Sequence, residues 1–298
     1  MTSLGPVLVG VDFSPSSRRA LEIAAAVSAR AGAPLEVIHV WNANHLAGSG
    51  TVLPALRSWI ADQKNLLVGR LNEWAEDATA DGLEVNCRIV DGAASHVIPV
   101  VAEESGARLI VVGRLGAADL PHVLLGSVSE RVAHLAPCPV LVVPEAATPA
   151  SASRRLLVPR RLLVGVDFSD AALNALQAAI ETATWLEIPE GLLVVHAGAE
   201  NREADAASAD AEGLNRWVHR VEGEGVRIQQ LILTGPIDQT LIEAAGREGC
   251  DWLVVGAEGQ TGLAALLMGS TTDRVLKLAD RPILVIPRTS SAIGEVTS

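Results

Sequence analysis

The chain is short of what would tie it to a charged polymer or a membrane. It carries 23 Lys and Arg against 35 Asp and Glu, a formal net charge of −12. A surface that coats nucleic acid needs clustered Lys and Arg to neutralise phosphates, so that class is excluded. Electrostatic docking on anionic lipid is opposed for the same reason. No apolar run approaches the ~20 residues that a membrane-spanning helix needs. Residues 1–6 hold no basic stretch or cleavage-site pattern, so no secretory signal is expected. The cysteines are Cys87, Cys138 and Cys250, odd in number, far apart and without a CxxC pair. They predict a reduced, cytoplasmic setting rather than a disulfide framework.

Familiar catalytic sets are missing too. No glycine loop ends in the GK[ST] that would bring a lysine to the β- and γ-phosphates of a nucleotide. There is no SGGxDS stretch, which speaks against ATP-pyrophosphatase chemistry. A phosphorylated receiver domain would need paired acids at its first strand and a Lys after its fifth. Asp12 stands alone, and Val143-Pro144 takes the lysine's place. His96, His122 and His134 lack metal-ligand spacing, and no Ser-His-Asp or Cys-His set stands out. Binding is therefore expected over turnover, with any hydrolysis slow.

What is present is one unit written twice. At 298 residues, 49% apolar and 19% charged, the chain can bury two ordinary cores. Val7-Leu8-Val9-Gly10-Val11-Asp12-Phe13-Ser14 returns as Leu162-Leu163-Val164-Gly165-Val166-Asp167-Phe168-Ser169. These apolar runs are too continuous for half-exposed strands and read as central parallel strands. Ser14-Pro15 starts a helix, with Ser as cap and Pro at the first helical position. Further strands are expected at Leu35–Val40, Leu83–Val90, Leu109–Val112 and Pro139–Val143, alternating with helices. The second half repeats this plan. The fold class is α/β: two tandem Rossmann-like domains, each a five-stranded parallel sheet of order 3-2-1-4-5 with helices on both faces. The expected domains are residues 1–146 and 161–288, joined by a linker at 147–160 and followed by a flexible tail at 289–298.

Gly113-Arg114-Leu115-Gly116, nine residues, then Gly126-Ser127 follows the fourth strand of the first unit. Gly256-Ala257-Glu258-Gly259, nine residues, then Gly269-Ser270 follows that of the second. Glycines let backbone N–H groups approach phosphate oxygens, and a helix N-terminus adds free donors and partial positive charge. Arg114 offers further attraction in the first loop, whereas Glu258 would oppose an anion in the second. Asp12 and Asp167 end the first strands. With Ser14 and Ser169 as helix caps, both carboxylates are free for ribose hydroxyls or an outer-shell metal, the ribose role being favoured. Gly10 and Gly165 interrupt central strands, either for a close adenosine or for helix packing. His39 and His196 read as satisfied core residues, and Trp59 and Trp74 as core or interface.

These residues closely resemble the universal stress protein family. Its nucleotide motif, Gly-x2-Gly-x9-Gly-Ser/Thr, is matched at every fixed position in both copies. The V-D-F-S of the first strands and the endings Pro137-Cys-Pro-Val-Leu-Val-Val and Arg281-Pro-Ile-Leu-Val-Ile are similar to family features. The resemblance spans nearly the whole chain. It implies the adenine nucleotide alpha hydrolase-like fold, ATP binding, often with Mg²⁺ or Mn²⁺, and a regulatory role in stress or dormancy. It assigns ribose to Asp12 and Asp167, and adenine to the backbone of Val40 and Ala197. It assigns the phosphates to Gly113, Gly116, Gly126 and Ser127, and to Gly256, Gly259, Gly269 and Ser270. Val128 and Thr271 would supply the next N–H groups. The resemblance also implies pairing of fifth strands, as a pseudo-dimer within one chain through Val140–Val143 and Ile283–Ile286, and a possible homodimer.

Overall fold

The computed structural model describes residues 5–42, 54–79, 82–117, 125–145, 157–198, 204–221, 225–257 and 268–288. Most of the expected linker and the whole expected tail lie outside these residues, as do His122, Glu258 and Gly259.

The first half runs β1 (Val7–Gly10), α1 (Pro15–Ala31), β2 (Leu35–Trp41), α2 (Pro54–Ala78), β3 (Val85–Asp91), α3 (Ala94–Ser105), β4 (Leu109–Gly113), α4 (Ser127–Leu135) and β5 (Val140–Val143). The second half repeats it as β6 (Leu162–Val166), α5 (Asp170–Trp185), β7 (Leu192–Gly198), α6 (Ala204–Val218), β8 (Ile228–Thr234), α7 (Ile237–Arg247), β9 (Trp252–Gly256), α8 (Ser270–Leu278) and β10 (Ile283–Ile286). Caps set the helix ends as the sequence suggests. Ser14 Oγ accepts the N–H of Ser17 at 3.2 Å, and Ser169 Oγ that of Ala172 at 3.1 Å. Gly32, with φ of 62°, ends α1 in the left-handed conformation that glycine adopts at little cost.

Each half keeps the order 3-2-1-4-5, but the sheets are not separate. They merge into one ten-stranded sheet, β3-β2-β1-β4-β5-β10-β9-β6-β7-β8. The seam is antiparallel, with Leu141 opposite Leu284 and Val142 opposite Ile283. The physical reason is burial. All eight residues of β5 and β10 are apolar and no more than 2% exposed, and an open strand edge of that composition would invite pairing with another chain. The seam occupies the free edge of each fifth strand. β5 lies between β4 and β10, and β10 between β9 and β5. This corrects the homodimer expected through these strands, since neither has an edge left to offer.

Alternate strand residues feed two cores. Val7, Val9, Leu141 and Leu284 face α1, α2, α5 and α6, while Leu8, Val140, Val142 and Val285 face α3, α4, α7 and α8. Each core crosses the seam, so the halves are joined on both faces. Fully burying one such Val or Leu side chain stabilises by about 1.5–3 kcal/mol.

Candidate functional site

β1 is flanked by β2 on one side and β4 on the other, and Gly10 lies opposite Val112. Here the strand order reverses, and an open α/β sheet leaves a crevice beyond the strand ends. A cleft of about 190 Å³ opens there. Gly10, Asp12, Val40, Gly113, Gly116, Gly126, Ser127 and Val128, the first-half residues singled out from sequence, all line it.

Asp12 is not free, contrary to the sequence expectation. Its Oδ1 accepts the N–H of Ser14 at 3.0 Å and the Ser14 hydroxyl at 2.6 Å. Its Oδ2 accepts the N–H of Ala117 at 2.7 Å. One hydroxyl thus caps α1 and binds the carboxylate at the same time, a double role that cap assignment alone does not reveal. Burial pushes the Asp12 carboxyl up, but the hydrogen bonds from Ser14, Ala117 and Ser17 together outweigh it and hold it below the usual value. It is an anion at neutral pH, tied to the glycine loop.

The loop is closed by Gly126 N–H, which donates to Arg114 C=O at 2.8 Å, and by Arg114 N–H, which donates to Val143 C=O at 2.7 Å. α4 then starts at the cleft with Gly126 as its cap residue and no side-chain cap bond. The first N–H groups of such a helix have no partner within it and suit an anion. Gly113 has another role than phosphate approach. A Cβ there would lie 2.8 Å from Ser16 C and 2.9 Å from Ser17 N, so this glycine lets β4 pack on the first turn of α1. Gly10 likewise faces Ile98 Cδ1, at 3.0 Å from a would-be Cβ, and Gly165 faces Leu241. Helix packing is therefore a role of both strand glycines, although both also border a cleft.

Arg114 does not point at the cleft. Its Nη1 donates to Ala279 C=O at 2.7 Å, in the second half. Burial lowers its pKa, opposed by Glu145. A long side chain takes its direction from the nearest acceptors, and here these lie at the far end of α8. The loop hydrogen bonds also fix the correspondence. Gly269 N–H donates to Ala257 C=O at 2.9 Å, so Ala257 is the counterpart of Arg114, and Glu258 that of Leu115.

The second cleft, about 250 Å³, is lined by Gly165, Asp167, Gly256, Gly269, Ser270 and Thr271. Ala197 sits on β7 opposite Leu233 but is not among the lining residues. Asp167 Oδ1 repeats the bonds to Ser169, at 3.0 Å to its N–H and 2.5 Å to its hydroxyl. α8 starts at Gly269, again without a side-chain cap bond.

The family model described as the universal stress protein family matches residues 4–144 and again 159–287. The chain belongs to this family. A universal stress protein of Mycobacterium tuberculosis strain H37Rv is 28% identical over 300 residues, covering 95% of this chain and 96% of the relative. One from Mycolicibacterium smegmatis is 27% identical over 305 residues, covering 94% and 96%. The crystal structure of a universal stress protein from Archaeoglobus fulgidus superposes with a TM-score of 0.69 at 20% identity, over 95% of this chain and 98% of that one, and shows the shared fold.

Within this family member, several site residues carried little sequence signal. Ser16 donates its hydroxyl to Leu115 C=O and pins the loop from below. Ser17 Oγ accepts the N–H of Asp12 at 3.3 Å. The run Ser14-Pro-Ser-Ser17 was the only hint, and it reads equally well as a helix start. Phe13 and Phe168 adopt left-handed φ of 64° and 62°, a conformation that costs a non-glycine residue about 1–3 kcal/mol. Packing holds them there. Phe13 lies 4.8 Å from the His39 ring and 5.2 Å from Trp74, with Arg70 over its face at 4.1 Å. Phe168 repeats this against His196 at 4.4 Å and Trp217 at 6.0 Å. His39 Nδ1 lies 2.7 Å from Val11 C=O and His196 Nδ1 2.9 Å from Val166 C=O, the satisfied roles expected of them.

Proposed function

We propose that this universal stress protein binds ATP, with one site in each of two units, residues 1–146 and 161–288, and acts through its nucleotide-bound state rather than by fast turnover. The observation that carries this is the first cleft. Three chemically different parts converge there: a glycine loop, an α4 N-terminus without a side-chain cap, and an Asp12 anion at the opposite wall. Phosphates fit the amide end and ribose hydroxyls the carboxylate end. Ribose would compete with Ala117 N–H for Asp12 Oδ2, so binding and loop position are linked. The backbone of Val40 would meet the base.

Among the described residues no three His, Cys, Asp or Glu gather into a metal cage. A Mg²⁺ or Mn²⁺ would accompany the bound phosphates. Slow metal-dependent hydrolysis is the second reading, and Asp12 and Asp167 are the residues on which it would depend. A third, structural or interaction role with vestigial loops predicts no ligand at all. Among the described residues no helix is long and apolar enough to cross a membrane.

The test is to denature freshly purified protein and identify any released ligand by mass spectrometry. Adenine nucleotide near one or two equivalents supports the reading. None released, together with no heat on ATP titration, contradicts it.

A further inference from the structure

Arg114 belongs to both halves at once. Its peptide is part of the first cleft wall, with its C=O accepting from Gly126 N–H and from Ser129 Oγ. Its guanidinium crosses to the second half and donates to Ala279 C=O at 2.7 Å, with Leu276 C=O at 3.5 Å. These carbonyls end α8, whose other end, Ser270 and Thr271, lines the second cleft. Nine residues make a rod of only about 13 Å, short enough to move as one body. A cation on its terminal carbonyls also complements the helix dipole whose positive pole faces that cleft. The helix's own last-turn Lys277 is turned back to Asp273 at 2.7 Å and does not take this place. The link runs one way in structure, because Ala257, the counterpart of Arg114, has no side chain to reach the end of α4.

We propose that Arg114 is a positioning residue that couples the two clefts, so that the first loop sets the placement of the α8 amides that serve the second cleft. The inference rests on the nucleotide reading and adds regulation to it. A ligand that draws on Gly126 and Ser127 pulls on the Arg114 peptide and, through its guanidinium, on α8. Coupling of binding free energies is reciprocal, so occupation of the second cleft acts back on the first.

The test uses the full chain with one cleft closed at a time, by Ser127→Asp or Ser270→Asp, and ATP with Mg²⁺ as the probe in calorimetry. Arg114→Met keeps the aliphatic stem and removes the donors, and Arg114→Lys restores a cationic donor. In the Ser127→Asp protein, Arg114→Met is expected to weaken ATP binding about five-fold or more, with Arg114→Lys recovering most of it, since couplings of this kind begin near that size. In the Ser270→Asp protein the same change is expected to weaken binding to the first cleft by a smaller factor, since the Arg114 peptide that lines that cleft is retained in Met. Equal losses in both proteins, or none in either, overturn the coupling. If the unaltered protein binds no ATP, the nucleotide reading falls by that result alone. Amide hydrogen exchange then decides the positioning role without ligand. Faster exchange at 270–272 but not at 127–129 in Arg114→Met upholds it, and unchanged exchange overturns it.

Discussion

The first and second halves share strand order, turn geometry and glycine motif, yet two side chains that fasten the first loop are replaced by alanine in the second. In the first, Ser16 pins Leu115 C=O, Ala117 N–H binds Asp12, and the Arg114 side chain anchors the loop across the seam. Residues at the same places in the second half are Ala171 for Ser16 and Ala257 for Arg114, and Asp170 replaces Pro15 at the start of the helix. Asp170 places a negative charge in the first turn of α5. The walls beside α3 and α7 differ as well. Ala94 lines the first cleft where Ile237 lines the second. Duplication thus preserved the scaffold of a site while its fastenings diverged. With Ala171 and Ala257 standing where the first half has Ser16 and Arg114, the first cleft is expected to bind the more tightly.

The largest expected effect comes from adding a methyl at the strand–helix contact. Gly113→Ala drives a Cβ into the backbone of Ser16 and Ser17 and should destabilise by about 2–3 kcal/mol. Gly10→Ala meets only the end of Ile98 and should cost less than about 1 kcal/mol. Urea unfolding of the two variants checks this. If they unfold alike, close packing is not what Gly113 provides. Next is Ser127→Asp. An acid is tolerated in the first turn of a helix but occupies the place of a phosphate, so ATP affinity should drop about ten-fold or more while the fold holds. Ser270→Asp should remove only the weaker binding class, as read by calorimetry.

A smaller change is expected for Ser16→Ala, which frees Leu115 C=O and should cost the loop about 1 kcal/mol of local stability. Hydrogen exchange at 114–117 would report it, and Ala171→Ser should not produce a matching loss in the second half. The smallest effect is in pH dependence. Burial lowers the His39 pKa, helped by Arg70, against the raising influence of Val11 C=O and Asp12. A folded pKa below the unfolded 6.5 means that the unfolded chain binds the proton more readily. His39 therefore contributes stability above pH 6.5 that is lost as pH falls through its folded pKa. His39→Asn should flatten the slope of stability between pH 7 and 5, measured by thermal unfolding in matched buffers.

Much of this was legible because backbone and burial speak through residue type. Val7–Gly10 and Leu162–Val166 read as buried strands since both faces are apolar, and Ser14 with Pro15 marked a helix start. The fifth strands were legible as a pairing seam through the family resemblance, and their apolar composition agrees with it. What escaped was direction and sharing. Nothing in Gly113-Arg-Leu-Gly116 says that the Arg114 side chain turns to a helix end about 165 positions away. Nor does Asp12-Phe-Ser14 say that one serine hydroxyl serves both a helix and a carboxylate. Gly113 looked like a phosphate glycine because its motif places it there, while the contact that excludes a side chain comes from α1.

The central claim is two unequal nucleotide clefts in one sheet. It is tested most directly by calorimetric titration of the full chain with ATP and Mg²⁺, alone and with Ser127→Asp. The account predicts two binding classes, of which Ser127→Asp removes the tighter. No heat, or loss of the weaker class instead, would contradict it.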